Sequence, residues 1–249
     1  MKSIVSPMLG RTITAYRSSA LRMVSYTTTW TMTDADIAST IAAGEWNSWA
    51  FQVGVSGAGR KSTSTAVTWT TQPPLPSVLL IVDLDKDFGA FLSNKIKFED
   101  GDVVDPSVPS AIVGDSLTTF SRFDINIGSC YKWTGNDLVK DTTQVCDKGS
   151  VKITNASTDP MTTGLTKLPL PTDSTKRPIC ADKLFGAPPA KPDQNAIIYT
   201  PAAVVTTTTG KKYSGSSIVK DASSWFTFDL TKGTKFAYNL ATKGWIQSV

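Results

Sequence analysis

The sequence predicts an all-β protein: an antiparallel β-sandwich with jelly-roll or Greek-key wiring, one or two short helices and one long loop-rich segment. Three observations predict it. Segments alternating β-branched or aromatic residues with polar ones recur along the 249 residues, the pattern of half-buried strands. Hydroxyl residues are dense, with 34 Thr and 26 Ser, and the branched Cβ of threonine suits a pleated surface. Gly, Pro, Asn and Asp clusters separate most of these segments as turns require, and hairpin spacings coexist with long crossovers.

Residues 1–24 read as a basic arm ahead of a single domain spanning 25–249. Lys2, Arg11, Arg17 and Arg22 occur with no acid before Asp34. Such a stretch could be an organelle presequence, a short arm that contacts nucleic acid, or a segment draped over the domain. Four cations over twenty residues are fewer than the dense tracts that neutralise many phosphates.

Strands are then expected at 21–32, 49–57 and 63–71. The segment SVLLIVDL (77–84) reads as a fully buried strand, too short for a helix. Further strands are expected at 94–100, 118–128, 129–135, 150–154, 195–209, 224–230 and 235–249. The best helix is TDADIASTIAAGEWNSW (33–49). Thr33 can cap it, Asp34 and Asp36 fall in the first turn, and Gly44 can end it. PSVPSAIVGDSL (106–117) reads as a single helical turn. Residues 134–194 form a Pro- and Thr-rich connection, and its proline-dense part (166–194) is expected outside the core.

Composition excludes several chemistries. The chain has no histidine, which removes the usual serine and cysteine nucleophile–imidazole pairs and imidazole zinc sites. The expectation is a protein that is not an enzyme. No apolar run approaches the ~18 residues of a membrane helix, so no membrane partner is expected. Cys130, Cys146 and Cys180 lack C-x-x-C spacing; they read as buried thiols, or as one bridge and a spare. The sequon at Asn155 reads as idle.

The acids after the apolar strand carry the sharpest question. With extended backbone through Lys86, alternation would put Asp83, Asp85 and Asp87 on one face, roughly 7 Å apart. Glu99, Asp100, Asp102 and Asp105 follow. Three readings stay open: a strand end and loop dressed with solubilising acids, a hard-cation site of oxygen ligands, or a carboxylate pair for glycoside hydrolysis. An EF-hand is excluded, because position six is Phe88 and position twelve is Asn94. GVSGAGRKST lacks the phosphate-loop spacing and reads as a hairpin loop. The seven tryptophans read as core or interface residues, with a glycan platform using Trp69 and Trp225 as the rival.

The order of these features resembles a known family. A basic segment, a Thr-rich first strand, a helix-like insertion, a Gly/Lys hairpin and PPLPSVLLIVDLDKD together are similar to the jelly-roll coat (capsid) proteins of small icosahedral positive-strand RNA viruses. The likeness is one of pattern, covers mainly residues 1–133, and has no counterpart for 134–194. It implies a structural protein of the virion that assembles, alone or with related subunits, into an icosahedral shell around the genome. It further implies weak, non-specific contact of Lys2, Arg11, Arg17 and Arg22 with genomic RNA, and calcium between subunits at Asp83, Asp85 and Asp87. The alternatives are a β-sandwich glycan- or surface-binding module and a carboxylate-dependent glycosidase.

Overall fold

The computed structural model describes residues 25–84, 86–107, 109–113, 115–168, 175–191, 193–210, 213, 215–220 and 225–248. The chain opens with β1 (Ser25–Thr31), helix α1 (Asp34–Ala42), β2 (Trp46–Gly57), β3 (Arg60–Thr63), β4 (Ala66–Gln72), β5 (Ser77–Asp83) and β6 (Phe88–Ser93). Next come β7 (Ser110–Val113), β8 (Ser116–Asp124), β9 (Cys130–Trp133), β10 (Leu138–Lys140), β11 (Val151–Asn155) and β12 (Met161–Lys167). The remainder holds β13 (Arg177–Pro178), β14 (Asp182–Leu184), β15 (Ala196–Gly210), β16 (Ile218–Val219), β17 (Phe226–Asp229), β18 (Lys235–Asn239) and β19 (Gly244–Gln247). The protein is all-β in a sandwich-like arrangement, with α1 the one helix among the described residues.

Three sheets form. Four strands run in the order β19-β18-β1-β5, and nine are built on β10-β9-β11-β15-β2-β4-β16 with β17 and β3 added. Six are built on β13-β12-β6-β8-β7 with β14 added. Strands distant in sequence lie side by side, as in β1 with β18, β2 with β15 and β6 with β12. These are the long crossovers that Greek-key wiring needs. Most pairs are antiparallel, but β1 with β18 and β9 with β11 are parallel, a departure from the purely antiparallel expectation. Crossover connections long enough to bring a strand back in the same direction permit it.

One apolar core joins all three sheets. Trp30 of β1 is fully buried and stacks on Phe236 at 4.0 Å. It meets Trp49, Trp245 and Phe228 edge-on at 5.3–5.8 Å, the geometry ring quadrupoles favour. The nine- and six-stranded sheets are stitched where Ala66 bridges Cys180 and the Ala181 amide donates to the Thr65 carbonyl. Gly164 on β12 allows that approach, since a Cβ there would collide with the Cys180 carbonyl. Across the interior, Tyr199 donates to the Thr163 carbonyl at 2.8 Å.

Local signals explain most elements. Thr33 caps α1 in a reciprocal box with Asp36, and Gly44 just beyond it takes φ +67. The β2–β3 hairpin turns on Ala58 and Gly59, both left-handed.

Four expectations are corrected. β5 is half-buried, with Leu79 facing out at 46% exposure. Its sheet is covered on one face only, so alternation replaces full burial. Residues 94–100 form a loop, and the strand lies earlier, in β6. The Asp102 carboxylate takes the Glu99 amide and the Lys95 ammonium, which competes with strand pairing. Residues 110–113 are strand β7, paired with β8, and the expected helical turn is absent there. The 166–194 stretch enters the core, with Ile179, Cys180 and Leu184 fully buried. Pro178 is itself part of the short strand β13, paired with Thr166 of β12.

Candidate functional site

The acids of the β5–β6 corner come first. β5 ends at Asp83, whose Oδ1 accepts the Lys86 amide at 3.3 Å, and Asp87 adopts φ +62 before Phe88 turns inward. The backbone is therefore not extended through Lys86; the chain turns from the four-stranded to the six-stranded sheet. That overturns the alternation that would have aligned three carboxylates on one face. Asp83 keeps its register in β5 opposite Ser25, Asp87 lies in the turn before β6, and Asp85 lies outside the described residues. The buried Lys167 of β12 reaches this corner, donating to the Lys86 carbonyl at 2.8 Å and lying 4.2 Å above the Phe88 ring. Lys2, Arg11, Arg17 and Arg22 also lie outside the described residues.

The second acidic group is taken up by partners within the chain. Glu99 sits between Lys220 and Lys97, whose ammonium groups lie at 2.5 and 2.8 Å. Their hydrogen bonds and charge pull its carboxyl down to about 2. Asp100 accepts the Lys220 amide, Asp102 accepts Lys95, and Asp105 caps Ser107. Among the described residues no three Asp, Glu, Cys or His side chains gather where a metal ion would sit. A glycosidase acid needs a raised pKa, and that of Glu99 moves the other way.

The tryptophans are largely interior. Trp30, Trp49, Trp69 and Trp245 are buried, and the Trp69 indole donates to the Lys167 carbonyl at 3.2 Å. Trp69 is therefore unavailable to a glycan. Trp225 packs on Ala50 and Val219 but borders a cleft of about 400 Å³ at the end of β15. A smaller cleft, about 210 Å³, opens beside Trp133. Cys130 and Cys146 are bridged, while Cys180 is a buried thiol that burial pushes well above its usual range. The Asn155 side-chain amide is buried and donates to the Asp159 carbonyl, so the sequon presents no free acceptor in the folded chain.

Sequence reasoning missed the β7–β8 hairpin. β7 ends the six-stranded sheet, with no strand on its outer side among the described residues. Ile112 and Leu117 face each other across the pair at 78% and 69% exposure. The overlooked signal is the Gly114-Asp115 dipeptide between two short apolar runs, a two-residue hairpin signature. A second exposed apolar set, Leu79 of β5 and Ile246 of β19, lies on the two edge strands of the four-stranded sheet. Compared with family models, curated proteins and solved structures, the chain matches none.

Proposed function

We propose that the chain is a structural coat subunit that associates with copies or relatives of itself into a closed shell around nucleic acid, and so resides in the virion. The observation that carries it is the β7–β8 hairpin. A terminal strand carrying an exposed apolar cross-strand pair is a template for pairing with another chain unless something covers it. Charge does not guard this edge: the described residues of β7 are Ser110 to Val113, without Lys, Glu or Asp. The Lys95 ammonium donates to the Val113 carbonyl at 2.7 Å, fixing the strand from within and leaving Ile112 outward. The all-β sandwich is compatible with a shell subunit, which buries large surfaces against its neighbours.

In this reading the basic residues Lys2, Arg11, Arg17 and Arg22 supply weak, sequence-independent contact with genomic RNA. The test is sedimentation velocity and negative-stain microscopy of the full chain, with and without RNA and calcium. Wild type should form large closed particles. The double variant Ile112→Asp/Leu117→Asp should stay folded by circular dichroism and remain a small species. Wild type sedimenting as a single subunit under all these conditions would overturn the proposal.

A further inference from the structure

The cleft at the end of β15 shares no lining residue with the proposed shell contact. Its floor is Thr208, Thr209 and Gly210, where β15 finishes. One wall is aromatic: Tyr213 and Trp225 lie 5.9 Å apart with planes tilted by 58°, and Phe226 stands beside them. The β18–β19 turn contributes Thr242 and Lys243 to the rim. At about 400 Å³ the cleft lies toward the small end of ligand-site volumes.

Three features select the ligand. The aromatic wall offers ring surface to apolar C–H groups, since Tyr213 and Phe226 are only half-buried. The Thr242 hydroxyl gives its proton to the Asn239 carbonyl at 3.3 Å and so presents lone pairs to a donor entering the cleft. The Lys243 side chain is 71% exposed but has the Glu45 carboxylate 4.0 Å away. Among the described lining residues the rim therefore has donors without a surplus of positive charge. A ligand with an apolar face, hydroxyls that both donate and accept, and no net charge satisfies all three.

We propose that this cleft binds a neutral carbohydrate of one or two pyranose rings. The C–H face of a ring packs on Tyr213 and Phe226, its hydroxyls donate to Thr242, and Lys243 donates to a ring hydroxyl. Trp225 supports the wall from behind: its 8% exposure and its packing on Ala50 and Val219 make it a buttress. A phosphorylated or otherwise anionic ligand is disfavoured because Glu45 already answers Lys243, the one lysine among the described lining residues. The site stands apart from the β7–β8 hairpin, so it goes beyond the shell proposal and can fail independently of it.

Gly210 supplies a test that spares the fold. A Cβ built there meets nothing within 4 Å, and its backbone is not left-handed, so Gly210→Phe should fill the cleft without displacing the core. Wild-type full chain is screened against immobilised neutral and acidic glycans, and hits are titrated by calorimetry. Neutral glycans should bind. Gly210→Phe and Tyr213→Ala should each weaken binding by about tenfold or more, while Gly210→Phe keeps the wild-type melting temperature and sedimentation. Binding of no neutral glycan, binding restricted to acidic glycans, or undiminished binding by Gly210→Phe would each overturn the assignment. Particle formation in either variant leaves the shell proposal intact whatever the glycan result.

Discussion

Replacing Cys146 by serine opens the bridge from Cys130 on β9 to the loop before β11, across a sequence separation of 16. What the bridge holds is weakly held otherwise. Inside the closed loop, Asp141 collects Thr143 and Gln144 in a local turn, and Val145 is fully exposed. Loop-closure entropy for a ring of this size is worth about 3 kcal/mol. For a chain of this length, that corresponds to a melting temperature lower by roughly 6–12 °C. Calorimetry of wild type and Cys146→Ser, each with and without a phosphine reductant, reads it directly. Reductant should lower the wild-type transition to that of the variant and leave the variant unmoved. Thiol titration of the denatured, unreduced wild type should find one thiol of the three cysteines, from Cys180. A variant that melts with wild type, or three titratable thiols, would refute the reasoning.

Four further outcomes follow from the same contacts. Lys95→Met leaves the Asp102 carboxylate, 14% exposed, without its cation, and urea unfolding should show a loss of roughly 2 kcal/mol, between surface and buried pairs. Gly164→Ala drives a Cβ into the Cys180 carbonyl at the sheet stitch, costing roughly 3 kcal/mol by the same measurement. Glu99 has a depressed pKa, so its pairing favours the fold above the ordinary value of 4.5 and is lost as pH falls through about 2. Carbon-detected NMR titration should find it near 2 in wild type and substantially higher in Lys220→Ala. Thr207→Val deletes the hydroxyl that donates to the Ser48 carbonyl at 2.9 Å in a fully buried site. It should cost about 1 kcal/mol in thermal unfolding, whereas Thr27→Val on the exposed side of β1 should cost little.

The strands best read from sequence are those dense in β-branched and aromatic residues. β1, β2, β4, β8, β15 and the β18–β19 hairpin lie where β-branched and aromatic residues predict. α1 was legible because its cap and first-turn acids are local chemistry. The acidic corner was not legible, because whether Asp83 begins a turn depends on which sheet receives Phe88, and that is set by pairing with β12 and β8. β12 was hidden for a related reason. Every residue from Met161 to Lys167 is buried, yet MTTGLTK has five polar or glycine positions and no apolar alternation. Its burial comes from neighbours on both sides, which no local period encodes. The Tyr213–Trp225 cleft draws its lining from the end of β15, the segment leading into β17 and the β18–β19 turn, all within residues 208–243.

The threonine content marks a way of packing polar strands. In β1, β12 and β15 four buried hydroxyls donate to main-chain carbonyls of neighbouring strands: Thr28 to Leu80, Thr163 to Phe91, Thr206 to Ala50 and Thr207 to Ser48. Each joins strands that neighbour one another in a sheet but lie at least 50 residues apart in sequence. Such bonds are modest singly, yet they are directional and an apolar side chain cannot replace them. A sheet interior built this way resists sliding in register, which aliphatic packing alone would tolerate. Register fidelity is what an edge such as β7 needs, because a partner strand can pair reproducibly only with an edge that is held in one place. Thr163 holds β12 to β6, the strand on which β8 pairs, and Lys95 holds the Val113 carbonyl of β7 itself.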